Sequence, residues 1–438
     1  MKSVVARTIL SVTIGLICLY SPTHANSLEI DDSRLAWAYG TIVDSITVSG
    51  NEGTRAHAVL REMETQPGNV LEEHVIKRDI RFVGDMSPFA SVVFSADSLG
   101  PGHCAVRIVV EERDEFFLRL ILPFLKYDFE TGFTYGVRWS DHNFRGRLES
   151  VGMTVTQNQR GDENLSLGWS AGWLGWKHIG VGAALSYYHR GDEPAELALV
   201  ERTGVNSWIA FPLTESRIKF SQITFNVIVD KSLSGGRELE YEKTLSLSPQ
   251  VGYRFDSRDS HVFPIQGGSF FTAVRATYAL DNGRDTHYRF WNRIRHFRHV
   301  HKNGVLALLS DLQYQFGDFP DYSVIRLGGP RSLRGHPHGR FEGFHRWFGT
   351  IEWRFKFLPR KVLYFPLIKA FDIGFAAVTF IDSGITWYDD ESFTINNLHG
   401  TAGLGLRFYS PIRDALRFDF GFNGRGDYQF HFGTGIRF

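Results

Sequence analysis

The stretch Val324-Ile325-Arg326-Leu327-Gly328-Gly329-Pro330-Arg331-Ser332-Leu333-Arg334-Gly335-His336 reads as a glycine-rich loop carrying a cation. Downstream, Phe380-Ile381-Asp382-Ser383-Gly384 reads as the end of a strand carrying one carboxylate. A planar guanidinium grips a carboxylate through two parallel hydrogen bonds. Folded back into a water-filled interior, the loop would bring Arg334 to Asp382, and the pair would pin it inside a barrel. Two unrelated surface charges would need no such loop, since a lone exposed pair contributes only about 0–1 kcal/mol.

On either side of the loop the chain alternates. Near the C-terminus Tyr428, Phe430, Phe432, Thr434, Ile436 and Phe438 share one face, while Gln429, His431, Gly433, Gly435 and Arg437 share the other. Leu416, Phe418, Phe420 and Phe422 repeat the pattern opposite Arg417, Asp419 and Gly421, as do Ile351, Trp353, Phe355 and Phe357 opposite Glu352, Arg354 and Lys356. A soluble sandwich would also turn its aromatic face inward, so one strand decides nothing. Glycine, arginine and glutamate on the second face of strand after strand point instead to a closed barrel with a wet lumen. The expected fold class is mainly β: an antiparallel transmembrane β-barrel over 114–438 behind a small α+β domain. About sixteen strands follow from the pattern, the first near 132–140 and the last near 428–438. That count requires a turn at Arg202-Thr203-Gly204, dividing 195–202 from 205–213. An even count returns both ends to one side of the membrane. The arginine loop, between the eleventh and twelfth strands, then lies on the other side.

Composition agrees with that class. Lys2 and Arg7 precede an apolar run from Ile9 to Tyr20, and Thr23-His24-Ala25 offers small residues where a signal peptidase reads, so residues 1–25 are expected to be a secretory signal. The run is too short to span a bilayer, and Gly15 and Ile17 are the wrong residues to precede a lipid-modified Cys18. Without the signal only Cys104 remains, which leaves no disulfide. Lys+Arg and Asp+Glu are 48 each, and the signal holds two of the bases and no acid, so the mature chain carries 46 against 48. That balance argues against a nucleic-acid partner. With 44 Gly, 37 Phe and 10 Trp, and no second apolar run of helical length, aromatics spread over alternating strands fit an outer-membrane barrel.

Residues 26–42 form a lead segment without firm pattern. Residues 43–113 read as strand, helix, helix, strand, strand. Asp44 leads into Ser45-Ile46-Thr47-Val48-Ser49-Gly50-Asn51. Thr54 is placed to cap a helix with Ala56, Val59, Leu60 and Met63 on its apolar face, and Asn69 with Glu72 looks like the capping box of a second. Ala90 to Ala96 and His103 to Glu112 complete the set, with Cys104 a small buried hydrophobe beside Val106, Ile108 and Val110.

Other constellations carry less. Gly168-Trp169-Ser170-Ala171-Gly172 spells a serine-hydrolase elbow, but that motif works only at a sharp strand-to-helix turn and here lies in an alternating strand. The Asp382 motif resembles an aspartic-protease signature without the second carboxylate a dyad needs. His296, His299 and His301 stand among Arg293, Arg295, Arg298 and Lys302, where surrounding cations favour a hydrated basic rim over a metal site. No enzyme activity, metal or cofactor is expected.

Together the motifs resemble one family, the BamA-type superfamily of outer-membrane protein insertases, TamA-like assembly factors and two-partner-secretion translocators. The 43–113 module, with its Ile-Thr-Val-Ser-Gly-Asn opening and Val-Val-Glu-Glu ending, is similar to a POTRA domain, the periplasmic module of that family. Asp256-Ser257-Arg258-Asp259 with Phe263-Pro264-Ile265-Gln266-Gly267 resembles the family's turn after strand eight, and Gly403-Leu404-Gly405-Leu406-Arg407 with Ser410-Pro411-Ile412 its last hairpins. Arg334-Gly335 matches the family's Arg-Gly-aromatic loop motif except for His336, where Tyr or Phe is usual. The resemblance implies that Arg334, Gly335 and Asp382 lock the loop in the barrel, and that the edge Ala90, Ser91, Val92, Val93 and Phe94 accepts extended clients by strand addition. It also implies that the terminal Phe438 marks the chain itself for assembly. A seam between 132–140 and the last strand, weakened at Gly433 and Gly435, would open for insertion. Alternatively the lumen would conduct a secreted chain. The implied partners are outer-membrane lipids, unfolded outer-membrane or secreted polypeptides, and periplasmic accessory proteins. The alternative is a porin-like or structural barrel that uses the module as a plug. A lipase-like passenger has no room in 26–42.

Overall fold

The computed structural model describes residues 34–113, 121–128, 132–174, 177–192, 198–214, 220–236, 239–260, 263–281, 286–320, 323–365, 368–389, 397–409 and 416–434. The expected signal sequence, Gly435 and Phe438 lie outside them.

The N-terminal module contains strand β1 (Ile42–Ser49), helices α1 (Ala56–Leu60) and α2 (Glu73–Gly84), and strands β2 (Phe89–Gly100) and β3 (His103–Glu112). The sheet order is β1-β3-β2, with β1 parallel and β2 antiparallel to β3. Alternation in β3 turns Cys104, Val106, Ile108 and Val110 into a core shared with Ile76 and Val83 of α2. Leu35 and Ala38 join that core, so the end of the lead segment belongs to the module although its sequence shows no period.

Both expected helix caps fail, and the reason is competition for the polar groups. The Thr54 hydroxyl accepts from Asn143 Nδ2 at 2.8 Å and its N–H donates to Glu112 at 2.8 Å, so α1 begins without a side-chain cap. Helix α2 starts at Glu73 with no cap from Asn69 or Glu72. Buried Asp79 instead accepts the backbone N–H groups of Glu64 and Thr65 at 3.0 and 2.9 Å, closing the segment after α1.

The remaining strands form a sixteen-stranded antiparallel sheet in strict chain order. They are β4 (Ile121–Asp128), β5 (Gly132–Phe144), β6 (Glu149–Asn158), β7 (Glu163–Ala171), β8 (Gly180–His189), β9 (Ala198–Pro212), β10 (Phe220–Gly236) and β11 (Leu239–Asp256). Then follow β12 (Gly267–Ala279), β13 (His287–His301), β14 (Gly304–Gly317), β17 (His345–Phe365), β18 (Ile368–Trp387), β19 (His399–Tyr409), β20 (Leu416–Asn423) and β21 (Tyr428–Thr434). A small ribbon, β15 (Ile325–Leu327) with β16 (Phe341–Gly343), lies inside the long β14–β17 loop. The number of strands agrees with expectation because two errors cancel. Residues 132–140 are not the first strand but the second, paired to β4 on one side and β6 on the other. The expected turn at Arg202-Thr203-Gly204 is absent, since β9 runs straight through it against β8 and β10. Arg202 there reaches across to Asp230 at 2.9 Å, and the lack of a side chain on Gly204 leaves room for Asp230.

Edge strands β4 and β21 approach until Cα atoms lie within 8 Å, so the sheet curls through a full circuit. No ladder joins them among the described residues, in contrast to the closed barrel expected. Outward positions such as Tyr135, Val155, Leu167, Trp353 and Phe355 are exposed and form an apolar belt around the sheet. No described helix is long and apolar enough to cross a membrane, which says nothing about crossing by strands. The interior face departs from the wholly wet one expected: Leu327 and Leu333 of the long loop pack on inward Leu309 and Phe348.

The module docks on the hairpin turns of one rim. Arg55 N donates to Gly146 O at 2.9 Å, Trp173 Nε1 donates to Glu62 at 2.6 Å, and Arg81 pairs with Asp259 at 2.9 Å. Asp259 also accepts the N–H groups of Ile265 and Gln266, so the β11–β12 turn is self-closed as well as docked.

Substitution Asp79→Ala strands two amides at about 1–3 kcal/mol each. Hydrogen exchange on the intact chain is expected to speed up over residues 56–66 while β17–β20 keep their protection.

Candidate functional site

Arg334 is completely buried, as is Asp382. The loop delivers the guanidinium by a double turn: Gly329 N donates to the carbonyls of Leu333 and His336, and Gly328 N donates to the Ser332 hydroxyl. Gly328 and Gly329 both have positive φ, which side chains rarely tolerate. Arg334 Nε and Nη2 then donate to the two oxygens of Asp382 at 2.9 and 2.8 Å, the forked geometry that suits this pair. The backbone N–H of Arg334 adds a third bond to Asp382 at 3.1 Å.

Further partners come from neighbouring strands. Arg334 Nη1 donates to Glu352 on β17 at 2.9 Å and stands 3.6 Å from Asp419 on β20. Its guanidinium lies 3.3 Å from the ring centre of Phe380, a cation over an aromatic face. Thr350 and Thr401 donate hydroxyls to Asp382, Arg354 donates to Glu352 at 2.8 Å, and Arg407 and Arg417 flank Asp419 at 2.8 and 3.1 Å. Four guanidiniums, those of Arg334, Arg354, Arg407 and Arg417, are thus interleaved with three carboxylates. Breaking such a buried pair by removing one partner costs about 3–5 kcal/mol.

The loop is also held through its backbone. Arg417 Nη2 donates to Pro330 O at 3.1 Å, and His431 Nε2 on β21 lies 2.9 Å from Arg334 O. Gly335 lies flat on β20: a Cβ there would sit 2.5 Å from the Phe422 backbone, and one on Gly421 would meet Arg334 O at 2.4 Å. His336 turns its ring edge onto Phe341 at 4.9 Å, and Phe341 stacks on His399 at 3.6 Å, so the histidine occupies an aromatic cluster.

The structure therefore brings together Arg334, Gly335 and Asp382. Sequence reading missed Glu352, Arg407, Asp419, Gly421 and His431 as their partners. Glu352, Asp419, Gly421 and His431 were visible on the second face of alternating strands, but no spacing in the chain states which rungs stand side by side. The other expected sites lie apart. On β2, Ala90 and Phe94 face the module core, Val93 is exposed, and Ser91 donates to Glu111 at 3.0 Å. Among the described residues that strand pairs with β3 alone, though Ala96 N donates to Arg34 O at 3.4 Å on its open side. Gly433 lies on edge strand β21, with open space where a Cβ would sit. The histidines of β13 do not converge: His296 points outward with Ile294, while His299 lies on the opposite face. Ser170 sits within β7, in extended backbone rather than at an elbow.

Residues 143–438 match the Omp85 superfamily domain. Solved structures of similar fold include BamA from Haemophilus ducreyi lacking POTRA domains 1–3, at TM-score 0.52 and 16% identity over 90% of this chain and 84% of that one. CdiB from Acinetobacter baumannii aligns at TM-score 0.55 and 11% identity over 90% and 73%. CdiB from Escherichia coli aligns at TM-score 0.60 and 13% identity over 93% and 79%. No curated protein matches the chain at a significant level.

Substituting Arg334→Ala is expected to lower the docking equilibrium constant of the loop by roughly two orders of magnitude, from about 3 kcal/mol or more of lost pairing. A cysteine introduced by Ser332→Cys, at a buried position, reports this through its maleimide labelling rate. Labelling as slow in the double variant as in Ser332→Cys alone would show that Arg334 does not hold the loop. Arg334→Lys, which keeps charge but not the fork, should fall between the two.

Proposed function

Because this chain belongs to the Omp85 superfamily, we propose that it handles polypeptides at the bacterial outer membrane, assembling other barrels or translocating a secreted chain. The observation that carries this reading is the tether itself. A solute pore needs no fully buried guanidinium holding the loop 318–344 against the wall, whereas a channel that must admit a chain needs a stopper that can be released.

In this reading the sheet is a transmembrane barrel surrounded by lipid at its apolar belt. Residues 43–113 are a POTRA domain in the periplasm, and its β2 edge at Ala90, Ser91, Val92, Val93 and Phe94 takes up clients, with periplasmic accessory proteins as further partners. Strand addition there uses main-chain hydrogen bonds and asks little of client sequence. The seam lies between β4 and β21, not at 132–140. Its thin side is the glycine-bearing end of β21 at Gly433. A client barrel strand would leave sideways through that seam; a secreted chain would pass straight through once the Arg334 loop withdraws.

Depletion of the protein followed by surface proteomics separates these routes. Loss of a set of outer-membrane barrels indicates sideways insertion, and loss of one exported chain indicates translocation. An unchanged surface complement, with only small-solute uptake reduced, would make the protein a porin and end the proposal. Complementation by Asp382→Asn is expected to restore only a minor fraction of wild-type function at equal protein level.

A further inference from the structure

Strand β13 carries a pattern that the lock does not use. Its interior face, read at alternate positions, is Arg289, Trp291, Arg293, Arg295 and Phe297, while Ile294 and Arg298 face outward. Directly opposite Arg289 on β12 stands Arg275. Like charges on facing strand positions, with Cβ atoms about 5 Å apart, destabilise a sheet. Over the interior faces of β12, β13 and β14 the four arginines Arg275, Arg289, Arg293 and Arg295 meet one carboxylate, Asp311. Asp311 is already shared between Arg293 at 2.6 Å and Arg346 at 3.0 Å.

The two facing arginines are held in place without being neutralised. Gln250 Oε1 accepts from Arg275 Nε at 3.1 Å and Nη2 at 2.8 Å, and Gln315 Oε1 accepts from Arg289 Nε at 2.8 Å and from its Nη2. Both guanidiniums lie over the Trp291 ring, at 4.9 and 5.8 Å from its centre. Neutral amides and an indole fix the direction of each cation and leave its charge intact. Neither forms an ion pair with a carboxylate among the described residues, and Arg295 Nε has no hydrogen-bond partner among them. Arg275 and Arg289 remain partly accessible, unlike Arg334. In a low-dielectric cleft such uncompensated charges focus the field and concentrate anions.

We propose that this arginine track, Arg275 with Arg289, Arg293 and Arg295 around Trp291, binds carboxylate-rich extended polypeptide within the interior. From Arg289 to Arg295 the track spans six residue steps of strand, roughly 20 Å, about the length of an extended acidic hexapeptide. The biological occupant, a client in transit, rests on the client-handling reading above; binding itself does not, and it is measured on the purified chain.

The test is fluorescence anisotropy of labelled hexaglutamate with the detergent-solubilised full chain. Binding is expected to weaken as salt rises from about 50 to 300 mM, with hexalysine not binding. Arg275→Gln with Arg289→Gln should weaken it by about tenfold or more, while outward Arg298→Gln should leave it unchanged. Equal binding of hexaglutamate and hexalysine, or an unaltered affinity in the double variant, would overturn the proposal. So would competition by free glutamate as effective, per carboxylate, as by the hexapeptide, which would make the site one for small anions. Should the double variant fail to fold, the wild-type chain still decides. Hexaglutamate is expected to protect Arg275 and Arg289 from phenylglyoxal, read by mass spectrometry, and lack of protection refutes the track.

Discussion

A guanidinium with no exposure to water sets the terms for this fold. Removing Arg334 from solvent costs several kcal/mol unless its donors find acceptors of opposite charge in good geometry. That demand fixes the register of five strands at once. Thr350, Asp382 and Thr401 form one rung across β17, β18 and β19, and the next rung runs Glu352, Phe380, Gly403, Gly421. A third carries Arg354, Val378, Gly405 and Asp419, ending at His431. A slip of one residue in any of these strands would send its acid or threonine to the lipid side and leave the arginine stranded. The glycines clear the volume the rungs need. A Cβ on Gly403 would sit 2.4 Å from the Phe380 ring that supports Arg334, and one on Gly405 would touch Asp419 at 2.4 Å.

What the sequence disclosed follows from what is local. Alternation fixed which residues face inward, and a glycine-rich loop bearing one arginine ahead of a lone inward aspartate was enough to propose the pair. Strand β4 was invisible because Ile121-Leu122-Pro123-Phe124-Leu125 does not alternate and contains a proline. Proline is tolerated there because β4 is an edge, with one ladder rather than two to satisfy. The opposite error at Arg202-Thr203-Gly204 came from treating glycine as a turn signal. In β9 its role is to leave space beside Asp230 on the neighbouring strand. The caps of the module failed for a related reason: Thr54 is a good capping residue by itself, but Asn143 from the sheet claims its hydroxyl. Partners that lie on another strand or another unit cannot be read from spacing.

The two attachments of the sheet fall on different arcs. The loop grips β17 to β21 from inside, through Glu352, Asp382, Asp419 and His431. The module grips the rim turns of β5–β6, β7–β8 and β11–β12 through Arg55, Glu62 and Arg81. Strand β21 is therefore tied to the loop, and β5 to the module, while β4 between them is held in the sheet by a single ladder to β5. The two clamped arcs meet at the boundary between β21 and β4, where no ladder joins the described residues. The link from His431 to the Arg334 carbonyl crosses to the last strand from the loop side, so the ionic site that holds the loop also bears on edge strand β21.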